Sequence, residues 1–126
     1  MTDAQKALLA MAHERLERTM DFAAAKRHPR FEVGDAYYTM FYCATAALLG
    51  KGISHDKHGG VISSFAREFC KTNVLSRDLA TYLRAAMDAR HEGDYDWDAE
   101  ITVAEADLHL SHAEQFLSEV EKHLAI

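Results

Sequence analysis

The stretch AYYTMFYCATAALLG, residues 36–50, decides the fold class of this chain. Apolar side chains would lie on nearly every side of a helix with this sequence, which is typical of a helix with neighbours in several directions. Its run of about a dozen apolar residues is shorter than the roughly 20 that a bilayer-crossing helix needs. We therefore predict a central buried helix from Glu32 to Lys51, ended by Gly50 and Gly52.

The segment before this helix has the pattern of an amphipathic helix from Asp3 to Ala25. Thr2 and Gln5 have the spacing of a capping box, in which each side chain satisfies a free amide of the other residue. Pro29 should end the helix, because a residue that precedes proline is pushed away from helical geometry.

Three further helices are predicted after the central one: Asp56 to Thr72, Arg77 to His91, and a last helix from Thr102 to the end of the chain. Ser76 is a suitable cap for the second of them, and Thr102 with Glu105 forms another capping box.

The segment between the last two helices is acidic and aromatic. Gly93 is expected to stop the preceding helix, which leaves Asp94 to Ile101 as a loop. No strand-like alternation or internal repeat occurs, and the connections are short. These features predict one all-α domain over residues 1–126, an antiparallel up-and-down bundle of four to five helices.

Composition narrows the functional classes. The formal net charge is −6, which argues against a broad basic face for nucleic acid, so that any such contact must be local. Basic residues gather in KRHPR, residues 26–30, a run that is more typical of ordinary solvated surface.

The N-terminal sequence lacks the features of a signal peptide. Cys43 and Cys70 lie in apolar surroundings and should be reduced thiols. We expect a cytoplasmic protein that does not associate with membranes.

The segment ARHEGDYDW, residues 89–97, carries the clearest chemistry. Arg90 can hold two phosphate oxygens at once through its planar guanidinium group. His91 is the best candidate base, because its unperturbed pKa lies near neutrality. Asp94 is a candidate to orient His91, and Tyr95 is a candidate proton donor. The same residues also fit a purely structural helix end.

The remaining candidates are histidines and aromatic residues. The pairs His55–His58 and His109–His112 have helical spacing, but nothing completes either pair as a metal site, so we expect no metal and no cofactor. His58 also lies on an apolar stripe, where a core histidine is expected. Tyr38 belongs to an aromatic group that suits core and dimer packing, with base stacking as the alternative.

Four stretches together resemble the HEPN domain family: AYYTMFYCATAALLGKGI, SHDKHGGVISSF, LRAAMDARHEGDYD and TVAEADLHLSHAEQFLSEV. The resemblance implies a helical bundle that forms a homodimer, and often a metal-independent ribonuclease. Many members are toxins that pair with a small nucleotidyltransferase antitoxin, and others accompany nucleotide-binding or defence proteins.

The resemblance assigns roles to single positions. Arg90 matches the family arginine, and His91 matches the polar residue that follows it. The resemblance also implies that His55 or His58 fixes the loop before the third helix, or reaches a ligand near Arg90. The family histidine that should follow the arginine is missing, since positions 95 to 97 are Tyr95, Asp96 and Trp97. The segment from Arg90 to Tyr95 instead has the form Arg-x-x-x-Asp-Tyr, which resembles the form common in this branch of the family. Two hypotheses follow: a dimeric ribonuclease toxin or partner subunit that acts on RNA, or a non-catalytic nucleotide-binding or protein-interaction module. In the second hypothesis, Arg90 binds phosphate while Tyr95 or Trp97 stacks on a base.

Overall fold

The computed structural model describes residues 1–125, and it is an all-α helical bundle, as the sequence predicts. No strand occurs within residues 1–125. Its elements are α1 (Asp3–Ala25), α2 (Pro29–Leu49), α3 (His58–Phe65) with a π-helical turn (Ala66–Cys70) that continues it, α4 (Asp78–Tyr95) and α5 (Val103–Leu124).

The core is centred on α2, which packs against each of the other four α-helices. Tyr37 and Met40 are completely buried, together with the small residues that allow the close approach: Ala36, Cys43, Ala44 and Ala46. Phe65 of α3 stacks on Phe116 of α5 with ring centres 5.1 Å apart, and this contact closes the core on the far side. The free thiols of Cys43 and Cys70 are buried, which agrees with their prediction as core residues.

Local capping signals set the starts of α1 and α5. Thr2 accepts a hydrogen bond from the Gln5 amide at 3.1 Å, and the Gln5 side chain accepts one from the Thr2 amide at 2.9 Å, so the predicted capping box is complete. At α5 the Thr102 hydroxyl accepts a hydrogen bond from the Glu105 amide at 3.1 Å. The bounds of α1 are those predicted from the sequence.

Two predicted boundaries are wrong. α2 starts at Pro29 and not at Glu32, because proline in a first helical turn has no amide to leave unpaired and its φ suits the helix. Gly93 does not stop α4, which continues to Tyr95.

The ends of α3 and α4 also differ in detail from the prediction. The third predicted helix changes from α- to π-helical geometry after Phe65. At α4 the N-cap is Arg77 rather than Ser76, although the Ser76 hydroxyl still accepts a hydrogen bond from the Asp78 amide at 3.3 Å. None of the helices within residues 1–125 combines the length and apolar character that crossing a bilayer requires.

Candidate functional site

Arg90 lies on α4 against two tyrosines of α2. Its guanidinium carbon is 5.1 Å from the ring centre of Tyr38 and 5.7 Å from that of Tyr37, within the range of cation–π attraction. The Nε atom forms an ion pair with Asp94, one helical turn later, at 3.2 Å. Neither Nη atom donates a hydrogen bond to any group in residues 1–125. The outer edge of the guanidinium group therefore remains available to an anion.

His58, the first residue of α3, packs beside the same two tyrosines. Its ring centre lies 4.3 Å from that of Phe41 and about equally far, near 6 Å, from the rings of Tyr37 and Tyr38. The Tyr37 hydroxyl and His58 Nδ1 are 2.8 Å apart. Because Tyr37 is completely buried and its hydroxyl has no other partner within residues 1–125, we assign it as the donor. His58 Nε2 then carries the ring proton.

The charge states of this pair follow from burial. Burial is the main cause that lowers the pKa of His58 below its ordinary value, and the positive charge of Arg90 is the second cause. Burial raises the pKa of Tyr37 to about 12. Near neutral pH, His58 is therefore an uncharged imidazole and Tyr37 an uncharged phenol. Nε2 of His58 has no hydrogen-bond partner within residues 1–125 and is not sealed from solvent.

His58 and Arg90 line a cavity of about 660 Å³, which we call the α4 cavity. His91 and Tyr95 line it as well, with their ring centres 4.8 Å apart. Three carboxylates complete its wall: Asp88, Glu92 and Asp96. Two histidines, a tyrosine and a guanidinium group thus face one solvent-accessible space.

A second cavity, of about 770 Å³, lies on the other side of Arg90 between α1, the start of α2 and the end of α4. We call it the α1 cavity. Tyr38, Arg90 and Asp94 are part of its wall. Arg15 of α1 also lies over the ring of Tyr38, at 5.0 Å, so that this ring contacts two guanidinium groups. The side chain of Arg90 belongs to both cavities.

Arg30 determines where α4 ends. Its guanidinium group donates hydrogen bonds to the backbone carbonyl oxygens of Gly93 at 2.6 Å, Asp96 at 3.2 Å, Trp97 at 3.2 Å and Ala99. These bonds satisfy carbonyl groups that a helix end leaves free, so the helix continues past Gly93. Sequence reasoning missed this role, although the basic run at residues 26–30 was the available signal.

The structure separates the other predicted site residues. Asp94 pairs with Arg90 and not with His91. His55 lines neither cavity. Its Nε2 is 2.5 Å from the Ser64 hydroxyl, and its ring lies so close to Gly60 that a Cβ there would be 2.8 Å from Nδ1. This position suits an anchor of the loop before α3.

Trp97 also lies outside both cavities and is 89% exposed. Sequence reasoning did not find Arg15 or the bond between Tyr37 and His58. Arg15 bonds to Asp35, and Tyr37 bonds to His58, so each pair joins different helices across about 20 positions of sequence. Residue spacing gives no indication of contacts over such a separation. Within residues 1–125, no three His, Cys, Asp or Glu side chains are grouped so as to hold a metal ion.

Comparison with known proteins assigns the chain to a family. A model of the HEPN domain matches residues 5–123 of the chain. The chain belongs to the HEPN domain family. The match includes residues of all five helices, among them both tyrosines and the arginine of the candidate site.

Several curated relatives share this HEPN domain. Two proteins of Methanocaldococcus jannaschii are named "Putative toxin". One is 44% identical over 75% of this chain and 64% of its own length, and the other is 30% identical over 94% of this chain and 87% of its own. A Thermotoga maritima protein named "UPF0332 protein" is 37% identical over 71% of this chain and 68% of its own length. The chain thus aligns with less than two thirds of the first of these relatives.

Proposed function

We propose that this HEPN domain is a ribonuclease of the toxin type, which cleaves RNA without a metal ion. The single observation that carries the proposal is the position of Arg90, whose uncommitted edge separates two cavities and lies beside His58 and His91. The names of the two archaeal relatives support the toxin class. Because its substrate would be cellular RNA, the protein would act in the cytoplasm.

The proposed reaction moves the 2′-oxygen of RNA onto the adjacent phosphorus atom. His91 accepts the proton of the 2′-hydroxyl group while the new P–O2′ bond forms. The P–O5′ bond breaks, and the proton passes from His91 to the leaving 5′-oxygen through water. The products are a 2′,3′-cyclic phosphate and a 5′-hydroxyl end, so no oxidant, reductant or water molecule is consumed.

The other residues stabilise charge and geometry in this scheme. Arg90 and the Nε2–H group of His58 donate hydrogen bonds to the non-bridging phosphate oxygens, where negative charge increases in the transition state. Asp94 holds the Nε side of Arg90, which turns its Nη atoms outward. Tyr95 packs against His91 and limits its ring orientation.

The test replaces Arg90 with alanine and uses Arg84→Ala as a matched control, since Arg84 is exposed on the same helix and has no ion-pair partner within residues 1–125. Both variants and the wild type are incubated with tRNA in EDTA, and cleaved ends are assayed for cyclic phosphate. We expect Arg90→Ala to lower the rate about 100-fold or more, and Arg84→Ala to leave it unchanged. Equal rates for all three proteins, or no cleavage by the wild type at high concentration, would contradict the proposal.

Assembly is a further part of the proposal. Family resemblance supports a homodimer and a small nucleotidyltransferase-like antitoxin as partner. Light scattering on the purified protein measures the first, and inhibition of cleavage by an added nucleotidyltransferase from the same organism measures the second. If a monomer cleaves RNA at the full rate, the proposed homodimer is wrong.

A second candidate function is nucleotide binding without catalysis. The observation that favours it is the α1 cavity, whose volume of about 770 Å³ falls in the range of small-molecule sites. Calorimetric titration with the common nucleotides tests this function. Saturable binding together with absent RNA cleavage would favour it over the ribonuclease.

A further inference from the structure

The α1 cavity differs in charge from the molecule as a whole. Five Lys or Arg side chains line it, against three carboxylates, in a chain whose formal net charge is −6. The basic residues are Arg15, Arg18, Lys26, Arg30 and Arg90, and the acidic residues are Glu32, Asp35 and Asp94. This cavity is therefore a local basic site on an acidic protein.

The carboxylates of the cavity already have partners. Glu32 accepts hydrogen bonds from Arg27 and from the His28 amide, each at 2.6 Å. Asp35 pairs with Arg15 at 3.0 Å, and Asp94 pairs with Arg90 at 3.2 Å. An anion that enters the cavity would thus meet carboxylates whose charge is largely compensated.

Three of the cations have no carboxylate partner within residues 1–125: Arg18, Lys26 and Arg30. Arg18 and Lys26 are exposed, and neither forms an ion pair with a carboxylate within residues 1–125. Arg30, by contrast, is held by backbone carbonyl groups. Arg18 and Lys26 therefore supply the uncompensated charges whose side chains are free to reach a ligand, while Arg30 adds its charge from a fixed position.

Aromatic side chains at the cavity explain which anion would fit. Phe22 is 63% exposed and Phe31 is 73% exposed, and both line the α1 cavity. Large apolar rings beside uncommitted cations are the combination that binds single-stranded nucleic acid, because unpaired bases stack on the rings while the cations contact the backbone. A duplex does not present the faces of its bases in this way.

We propose that the α1 cavity binds the nucleotides of single-stranded RNA that flank the phosphate held at Arg90. Arg18 and Lys26 contact the flanking phosphates, and Phe22 or Phe31 stacks on an unpaired base. Arg90 belongs to the walls of both cavities, which makes the path of the RNA continuous. This inference rests on the proposed function, since it supplies the substrate-binding part of the same site.

The test compares two double variants that remove the same charge. Arg18→Ala with Lys26→Ala alters the cavity, whereas Lys71→Ala with Arg84→Ala removes one Lys and one Arg that are exposed and line neither cavity. Binding of a fluorescein-labelled single-stranded oligoribonucleotide with 2′-O-methyl groups is followed by anisotropy at several salt concentrations. KM and kcat are measured on the cleavable oligonucleotide.

The cavity variant should bind at least tenfold more weakly than the control variant, and its slope of log affinity against log salt should be smaller by about 1.4. KM should rise while kcat changes little, because these residues contact nucleotides away from the reacting atoms. Phe31→Ala should weaken binding about tenfold as well. Unlabelled single-stranded RNA should compete for the site, and duplex RNA of the same sequence should not.

The inference would be overturned, while the proposed function stands, if the two double variants bind equally well although Arg90→Ala has lost cleavage. It would also be overturned if the cavity variant changes only the oligomeric state. Duplex RNA that competes as well as the single strand would overturn it too. Failure of the proposed function has a different signature, in which the wild type neither binds nor cleaves RNA.

Discussion

Two histidine clusters in this bundle are built from similar parts and have different surroundings. The His58 cluster consists of His58, Tyr37, Phe41 and Arg90. The His109 cluster consists of His109 and His112 of α5 with Tyr82 of α4, whose ring stacks on that of His112 at 3.7 Å. In both clusters burial is the main cause that lowers the pKa of the histidines.

The clusters differ in what their ring nitrogens contact. Nδ1 of His58 is bonded to Tyr37, and the residue lines the α4 cavity together with Arg90. In the His109 cluster, Nδ1 of His109 and Nδ1 of His112 are both buried without a hydrogen-bond partner, and neither residue lines the cavities beside Arg90. A lowered histidine pKa therefore follows from burial alone. A cavity and a neighbouring cation are what make the His58 cluster a candidate site.

The largest expected effect is that of His58→Leu. The substitution leaves the completely buried Tyr37 hydroxyl without a partner, which should lower the free energy of unfolding by about 2 kcal/mol. It also removes a hydrogen-bond donor from the proposed site, so RNA cleavage measured well below the unfolding midpoint should fall.

A companion variant separates the two consequences. His58→Gln retains an N–H donor near the position of Nε2, and it should recover part of the cleavage rate. If His58→Gln has no activity although it is folded, His58 transfers a proton rather than donating a hydrogen bond. Urea unfolding and initial cleavage rates provide both readouts.

A smaller loss is expected from Tyr37→Phe. The variant removes the hydroxyl and keeps the ring, so the contacts with Arg90 and the core persist while one hydrogen bond is lost, at about 1 kcal/mol. The tautomer of His58 is then no longer set by Tyr37. Nitrogen-15 NMR of the imidazole ring should show a mixture of the two neutral tautomers, and a spectrum identical to that of the wild type would refute the assignment of Tyr37 as donor.

At the His109 cluster we expect a substitution to raise the free energy of unfolding rather than lower it. His109→Leu removes a buried nitrogen that has no partner and places an apolar side chain at this buried position of α5, so the free energy of unfolding should rise by up to about 1 kcal/mol. Urea unfolding at neutral pH measures it. A loss as large as that of His58→Leu would show that the contrast between the two clusters is wrong.

The smallest effect concerns pH. A histidine whose pKa is lower in the folded protein binds protons more readily when the chain is unfolded. The stability that it contributes is complete above the unfolded-state pKa, about 6.5, and is lost as the pH falls toward the lowered folded-state value. Unfolding free energies measured between pH 5 and pH 8 should therefore decrease at the acid end. The decrease should be shallower in His109→Leu, and an unchanged slope would contradict the prediction.

The parts of the fold that the sequence predicted well depend on local interactions. The capping box of Thr2 and Gln5 lies within one turn, and the start of α1 was predicted correctly from it. The apolar character of residues 36–50 likewise placed α2 at the centre of the core. The end of α4 was predicted wrongly because it depends on Arg30, which is more than 60 residues away along the chain.

The candidate site was predictable only in part. Arg90 and His91 are neighbours in a recognisable segment, so their residue types indicated phosphate chemistry. The groups around Arg90 lie on three other segments. Tyr37 and Tyr38 of α2 contact its guanidinium group, Arg15 of α1 lies over the same Tyr38 ring, and His58 of α3 lines the α4 cavity with it. No spacing rule connects these residues, since packing of the bundle alone brings them together.

The hydrogen bonds from Arg30 also bear on how well Arg90 is aligned. Arg30 and Tyr37 are seven residues apart on α2, about 10 Å along its axis, and they contact α4 at its end and at Arg90 respectively. A one-turn slip of α4 along α2 would break both contacts at once. Two separated attachment points therefore prevent α4 from sliding along α2, so that the Arg90 guanidinium group is held in place in the free protein.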